Sequence, residues 1–239
     1  QEGVILVHGG GKEVTKVTEQ LGKEPKFVVS PSGIKSRYTD KETSEIFTMV
    51  MSGRISKTIV QMLQKNGINA IGLSGMDGKT IEANRKKKLM IMNEKGRKQV
   101  IDGGYTGKIS NVNSDLIKTI MDKGYTPVIS PIAISEESEF LNVDGDRAAA
   151  NVAGHVKADK VLFITNVDGL LMEDKLVEKL SLEEAKEIMP KIGFGMEKKI
   201  LAATEALEMG VTEALIANGQ KENPISSAIA HNNCTVITK

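Results

Sequence analysis

Six apolar runs punctuate the chain: VILV (4–7), AIGL (70–73), PVIS (127–130), VLFIT (161–165), ALIA (214–217) and TVIT (235–238). None alternates with polar residues as a half-buried strand does, so each reads as a strand covered on both faces. Helical patterns lie between them. Thr39 and Glu42 have capping-box spacing, and the apolar positions that follow, including Ile46, Met49, Val50, Ile59 and Met62, run to Gly67. Ser181 and Glu184 repeat that signature ahead of Ile188, and a further helix is expected from Met196 to Met209, closed by Gly210. LMIMNEKGRKQVI (89–101), with two β-rich arms around a polar turn, predicts a hairpin. Strand–helix alternation predicts an α/β fold: a mostly parallel sheet with helices on both sides. SEESEF (135–140), the least apolar connection, marks a seam between two lobes.

Composition narrows the function classes. The 239 residues are 40% hydrophobic, enough for a core. No apolar run approaches the ~20 residues of a membrane span, and no secretory leader pattern opens the chain. A single cysteine, Cys234, excludes an internal disulfide framework and points to a reducing cytoplasm. A net charge of +1, 3% aromatics and no Trp argue against a nucleic-acid partner. The expectation is a cytoplasmic enzyme or binding protein.

Candidate chemistry gathers at the C-terminal ends of the strands, where open α/β sheets place their ligands. His8, Gly9, Gly10 and Gly11 follow the first run. That much bare backbone suits either a tight turn or an anion held at a helix N-terminus. GLSGMDG (72–78) adds three glycines and Asp77. ITNVDG (164–169) places Thr165, Asn166, Asp168 and Gly169 at another strand exit, and FGMEKK (194–199) opens a helix with Gly195, Lys198 and Lys199. In LNVDGDRAAA (141–150), Asn142, Asp144 and Asp146 alternate along what reads as an extended run and share one face, with Asp146 leading into a helix as an alternative N-cap. Arg37 sits where a guanidinium can grip a carboxylate, and RKKK (85–88) reads as a solvated face or a contact for an acidic partner. There is no Walker loop, no G-x-G-x-x-G, no G-x-S-x-G and no HExxH or CxxC spacing, so no metal ligands are assigned. His8 reads as a packed residue rather than a base.

HGGG (8–11), SRYTD (36–40), AIGLSGMDG (70–78), GGYTGK (103–108), LNVDGD (141–146), NVDGLL (166–171), GMEKK (195–199) and ENPI (222–225), in this order, resemble the amino acid kinase family, in its acetylglutamate kinase branch. The resemblance implies an open αβα sandwich that makes an acyl phosphate from ATP. Residues 1–138 would bind the amino-acid substrate and 139–239 the ATP. FVVSPSGIKSRYTD (27–40), longer than the F-x-x-G-x-R-x-T-D of acetylglutamate kinases, is similar to the carrier-linked kinases of lysine and arginine biosynthesis. Those act on α-aminoadipate or glutamate held on a small acidic carrier protein, LysW. The longer loop and the RKKK run would be its contacts.

Carried over residue by residue, the resemblance implies that Gly10 and Gly11 lie near the transferring phosphoryl group, while Arg37 and Asn142 hold the substrate. It makes Lys199 the transition-state lysine and Asp146 its orienting group, with Thr165, Asn166, Asp168 and Gly169 along the nucleotide. It further implies Mg2+ on the ATP phosphates and a homodimer or higher oligomer. The family opens with a K-x-G-G strand, whereas QEGVILV looks like its second strand. A first strand and helix are therefore expected to lie outside this sequence. The alternatives are an acetylglutamate kinase using the free small molecule, or a non-catalytic binding subunit.

Overall fold

Apolar runs that can bury both faces become the central strands, and the rest of the architecture follows from what covers them. The computed structural model describes residues 3–193 and 195–239. Gln1 and Glu2 of QEGVILV and Phe194 of FGMEKK lie outside the described residues. The chain divides into two units, Gln1–Ala148 and Ala149–Lys239.

The first unit runs β1 (Leu6–Val7), α1 (Gly11–Gln20), β2 (Phe27–Val29), β3 (Lys35–Arg37), α2 (Lys41–Thr48), α3 (Ser56–Lys65), β4 (Ala70–Ser74), β5 (Ile81–Arg85), β6 (Lys88–Met92), β7 (Lys98–Asp102), β8 (Gly107–Val112), α4 (Ser114–Asp122), β9 (Thr126–Ser130), β10 (Ile132–Ile134), β11 (Phe140–Asn142) and the start of α5 (Gly145–Val156), within which the division falls. β1, β9 and β4 form a parallel sheet in that order, with Leu6 opposite Val128 and Leu73 opposite Ile129. A second sheet, β11-β10-β5-β8, is mixed. β6 and β7 pair as the predicted antiparallel hairpin. β2 and β3 form another, over a stretch that carries no apolar-run signal. SEESEF, expected as a seam, is the turn between β10 and β11 inside this unit, closed by a Ser135 N–H to Glu139 carbonyl bond of 3.1 Å.

The helix predicted to start at Thr39 starts one residue later. Asp40 is its N-cap, accepting from the Thr43 N–H at 2.8 Å. Thr39 is fully buried and spends its hydroxyl elsewhere, donating to the Arg37 carbonyl and accepting from Asn142. A π-helical stretch, Met49–Ile55, joins α2 to α3. Its wider turn rotates the apolar stripe, so Val50 and Met51 are buried while Met49 and Met62 face solvent.

The second unit continues α5 and adds β12 (Lys160–Thr165), β13 (Leu171–Met172), β14 (Lys175–Leu176), β15 (Lys179–Ser181), α6 (Leu182–Ile188), α7 (Met196–Glu208), β16 (Glu213–Asn218), α8 (Pro224–Ile229) and β17 (Cys234–Thr238). Its sheet order is β12-β16-β17-β15. β16 is buried on both faces. Ala214 and Ile216 join a core with Phe163, Ile200 and Leu207, while Leu215 and Ala217 meet Ala228 and Val236 on the other side. β17 runs antiparallel to β16, against the parallel expectation, because an all-apolar run specifies burial but not direction. The Ser181–Glu184 capping box and the end of α7 before Gly210 (φ 105°) form as predicted.

Ile129→Ala, at a fully buried position of β9, is expected to cost about 2–5 kcal/mol. Asp40→Ala is expected to cost about 1 kcal/mol through the lost cap. Urea denaturation midpoints of the two variants check both values.

Candidate active site

Parallel pairing of β1 with β9 carries the chain to a sheet edge where His8, at 7% exposure, is locked in place. Its backbone N–H donates to the Ile129 carbonyl at 3.1 Å, and its Nε2 lies 3.0 Å from the Ser130 hydroxyl. Nδ1 is 3.1 Å from the Gly9 carbonyl, which can only accept, so the proton sits on Nδ1 in the neutral ring, and Nε2 lies against the Ser130 hydroxyl, which is also 3.4 Å from the Met51 carbonyl. Burial holds the imidazole pKa below its ordinary 6.5. His8 is a packed residue, as expected, and it orients the start of the glycine run.

The three glycines then part company. A Cβ on Gly10 would meet Ile55 Cδ1 from the π-helical stretch, so the end of that side chain would have to shift. Gly9 and Gly11 have nothing within 4 Å of where a Cβ would stand, and neither has a positive φ. Their bareness leaves open space at the start of α1, whose N-cap, Gly10, offers no side-chain hydrogen bond. The first-turn N–H groups of α1 therefore have no side-chain cap there.

A second helix start reaches the same place. A Cβ on Gly145, the first residue of α5, would lie 3.7 Å from the His8 carbonyl and 3.8 Å from Gly9 Cα. Asp144 caps α5, its Oδ1 accepting from the Asp146 and Arg147 N–H groups at 3.0 and 3.2 Å. This corrects the extended reading of 142–146. The strand ends at Asn142 and the helix begins at Gly145, so the three polar residues do not share one strand face, and Asp146 lies in the first helical turn rather than at the cap. The cause is the Asx turn at Asp144, which satisfies helix N–H groups that a strand would have sent to a neighbour.

Arg37 is 9% exposed, and its Nη2 donates to the Gly11 carbonyl at 2.9 Å and to the Thr15 hydroxyl at 2.7 Å. Its guanidinium lies 4.9 Å from the centre of the Phe27 ring. Nη1 is buried and has no hydrogen-bond partner among the described residues. Burial lowers the guanidinium pKa. Asn142 joins Arg37 through Thr39: Asn142 Nδ2 donates to the Thr39 hydroxyl at 2.9 Å, and that hydroxyl donates to the Arg37 carbonyl at 3.3 Å. Thr106 bridges to Asn142 in the backbone, and its own hydroxyl is buried without a partner among the described residues. Two buried polar groups, joined through Thr39 and Asn142, are thus without a hydrogen-bond partner among the described residues. RKKK is not a uniform solvated face. Arg85 is held by the Gly104 carbonyl at 2.7 Å and Glu139 at 2.6 Å, over the Tyr105 ring, while Lys87 and Lys88 are exposed.

In the second unit, β12 and β16 pair in parallel, with Thr165 opposite Asn218 at their C-terminal ends. The Thr165 carbonyl accepts from the Gly219 N–H at 2.8 Å, and the Thr165 hydroxyl lies 3.4 Å from Asn166 Oδ1. Asp168 accepts from Asn218 Nδ2 at 2.8 Å and pairs with Lys221 at 3.3 Å. Asn218 first, and Lys221 after it, hold the Asp168 carboxyl below its usual range. Gly169 sits against Thr235, at φ 149°. Asn218 and Lys221 were not singled out in the sequence. The signal for Asn218 was the one already used for Thr165, a polar residue ending an apolar run. Lys199 is half-buried in α7, two residues after Glu197, whose Oε2 is buried with no hydrogen-bond partner among the described residues. Gly195 starts that helix at φ 95°. Among the described residues no helix is long and apolar enough to cross a membrane, and no three His, Cys, Asp or Glu side chains cluster as a metal site.

With this geometry in view, comparisons with known proteins are informative. The sequence model of the amino acid kinase family matches residues 1–218. A protein of Nitrosopumilus maritimus (strain SCM1), provisionally named LysW-aminoadipate/LysW-glutamate kinase, is 84% identical over 236 residues, 99% of this chain and 88% of its own. One of Metallosphaera sedula, named LysW-aminoadipate/LysW-glutamate kinase outright, is 51% identical over 95% of this chain and 87% of its own. The crystal structure of N-acetylglutamate synthase from Neisseria gonorrhoeae shares the fold, with a TM-score of 0.79 at 22% identity, over 99% of this chain and 52% of that one.

The His8 geometry makes a pH prediction. The folded chain favours the neutral ring, so as pH falls below 6.5 the unfolded chain takes up a proton that the folded chain refuses, and stability drops. His8→Gln is expected to flatten that part of the profile, read by urea denaturation at a series of pH values.

Proposed function

We infer the reaction from the premise that the chain belongs to the amino acid kinase family: it is an ATP-dependent kinase for a substrate carried on LysW. It phosphorylates the side-chain carboxylate of carrier-linked α-aminoadipate or glutamate. A carboxylate oxygen forms a bond to the γ-phosphorus as the bond to ADP breaks, leaving an acyl phosphate. The observation that carries this reading is the 84% identity over 99% of the chain to a relative named for that activity. Both relatives bear the carrier-linked name, which favours this reading over a kinase for free N-acetylglutamate.

On this reading residues 1–138 form the amino-acid lobe and 139–239 the nucleotide lobe of a cytoplasmic enzyme. Arg37 takes the substrate α-carboxylate: its partnerless Nη1 and planar fork suit a carboxylate better than a point charge does. Asn142 and the Thr106 hydroxyl supply the neighbouring polar contacts. Gly10 and Gly11 direct N–H groups at the phosphoryl group in transit, in the space that Gly9 and Gly11 keep open at the uncapped start of α1. Thr165, Asn166, Asp168 and Gly169 line the nucleotide, with Asn218 and Lys221 fixing Asp168. Lys199 neutralises charge in the transition state, and Asp146 is the residue that positions the catalytic lysine.

A loose phosphoryl-transfer transition state spreads charge over its oxygens, so the chain's work is positioning and neutralisation. Mg2+ would neutralise phosphate charge when bound and would need few protein ligands.

Hydroxylamine trapping of the acyl phosphate tests the assignment, with LysW-linked glutamate, LysW-linked aminoadipate and free N-acetylglutamate compared on a chain extended to the length of its relatives. Product is expected from the carrier-linked substrates only. Lys199→Ala is expected to lower kcat on the order of 100–1000-fold. Arg37→Lys is expected to raise KM roughly tenfold, because an ammonium cannot replace the fork. Product from N-acetylglutamate alone overturns the reading. A separate check is Gly9→Ala, expected to keep stability within about 0.5 kcal/mol because no atom lies within 4 Å of where its Cβ would stand, while transfer falls if the phosphoryl group passes through that space.

A further inference from the structure

Residues 103–106, between β7 and β8, are tied by their backbone on three sides. The Gly103 N–H donates to the Lys87 carbonyl at 3.0 Å, and the Thr106 carbonyl accepts from the Lys86 N–H at 2.9 Å. The Tyr105 N–H donates to the Thr39 carbonyl at 2.6 Å, while the Tyr105 carbonyl accepts from the Asn142 N–H at 2.9 Å. The fit fixes the residue types. A Cβ on Gly103 would stand 1.5 Å from the Lys86 carbonyl oxygen, and one on Gly104, at φ 58°, would stand 2.3 Å from the Thr39 carbonyl oxygen. Both obstacles are backbone, which no rotamer change removes.

This segment is therefore a crossbar between Thr39 and Asn142, the two residues that link Arg37 to Thr106. Arg37 Nη1 and the Thr106 hydroxyl are the buried groups without a partner there among the described residues. Their positions depend on where the crossbar lies.

One side chain braces it. Arg85, the last residue of β5, donates from Nε to the Gly104 carbonyl at 2.7 Å and from Nη1 to Glu139 at 2.6 Å. Its guanidinium lies 4.1 Å from the centre of the Tyr105 ring. Glu139 is anchored in turn, its N–H donating to the Ser135 hydroxyl at 3.0 Å in the β10–β11 turn. An exposed ion pair contributes little by itself, but a planar fork that holds a carbonyl, a carboxylate and a ring together sets a geometry. Arg85 heads the RKKK run, yet its contacts turn inward, to the segment that carries Thr106.

We propose that Arg85 and Glu139 are a positioning pair for the amino-acid substrate, bracing residues 103–106 so that the Thr106 hydroxyl and, through Thr39, Arg37 are held ready for it. The proposal deepens the substrate site described above and rests on that reading for the identity of the substrate.

The test separates the amino-acid pocket from the carrier. Kd is measured for LysW-linked glutamate and for unloaded LysW on the chain extended to the length of its relatives, and the ratio of the two reports the pocket alone. Thermal midpoints confirm that each variant folds. Arg85→Lys keeps the charge but cannot hold Gly104 and Glu139 together, so it is expected to lower the preference for loaded carrier roughly tenfold. Glu139→Ala is expected to do the same, although removing an acid cannot weaken the attraction of an acidic carrier. Glu139→Gln keeps an acceptor for Arg85 and is expected to restore most of the preference. In turnover, KM for LysW-linked glutamate is expected to rise by the same factor while KM for ATP stays at its wild-type value.

An unchanged ratio in Arg85→Lys and Glu139→Ala overturns the proposal, as does a wild-type chain that binds loaded and unloaded LysW equally or binds neither. Acyl phosphate formation by the wild type reads the kinase assignment separately. If the ratio falls as expected and turnover is absent, the positioning pair stands and the kinase reading falls. If turnover proceeds and the ratio is unchanged, the kinase reading stands and the pair has no positioning role.

Discussion

The first unit depends on the parallel register that sets β1 beside β9, with Leu6 opposite Val128 and Val7 opposite Ile129. That register delivers His8 to Ser130, so one buried imidazole–hydroxyl contact joins two strand ends 122 positions apart. From there the glycine run, the start of α1 and the start of α5 take their places within a few ångströms of Gly9. A neutral His8 serves this contact because the Gly9 carbonyl needs a donor and the Ser130 hydroxyl can donate to the other nitrogen. The ring is thus a structural hinge pin for a backbone that has no side chains of its own to hold it.

Within the glycine run, packing and ligand space make different demands on neighbouring residues. A Cβ on Gly10 would displace the end of Ile55 in the π-helical stretch beneath it, whereas the positions where Cβ atoms of Gly9 and Gly11 would stand are open. The buried, partnerless Nη1 of Arg37 and hydroxyl of Thr106 show the same asymmetry. Folded proteins pair nearly all their buried polar groups, so these two stand open to a further partner. In the second unit Thr165 and Asn218, opposed at two parallel strand ends, present polar side chains where the sheet stops, and Asn218 with Lys221 holds the Asp168 carboxyl below its usual range. On the proposed reading, these two constructions would supply the fixed donors and fixed charge that phosphoryl transfer uses.

Charge is distributed as unevenly as the glycines. The near-neutral chain concentrates positive charge on the two exposed hairpins β2–β3 and β6–β7, with Met90, Val100 and Phe27 exposed among the lysines. Elsewhere its charges are spent in local pairs such as Lys186 with Glu208 or Arg54 with Glu13.

What the sequence by itself determined is what local chemistry determines. The six apolar runs became strands, buried on both faces in the sheet interiors, while at the sheet edges Val4 beside β1 and Ile164 of β12 are exposed, so the expected two-sided cover fails there. The β6–β7 hairpin, the Ser181 capping box and the Gly210 stop followed from turn and cap chemistry acting over a few residues. Arg37, Gly10, Gly11, Asn142, Thr165 and Asp168 were legible as candidates because strand ends and glycine runs are visible in one dimension. Tertiary structure decided the rest. It reversed β17, since burial carries no direction, and turned the apolar stripe at the π-helical stretch, which no local propensity announces. It moved one cap from Thr39 to Asp40 because Thr39 was needed by Asn142, 103 positions away. It made Asp144 rather than Asp146 the cap of α5, and it set Ile55 beside Gly10 while leaving open space at Gly9 and Gly11. Those decisions rest on contacts between residues far apart in the chain, and a sequence pattern read over neighbouring positions does not contain them.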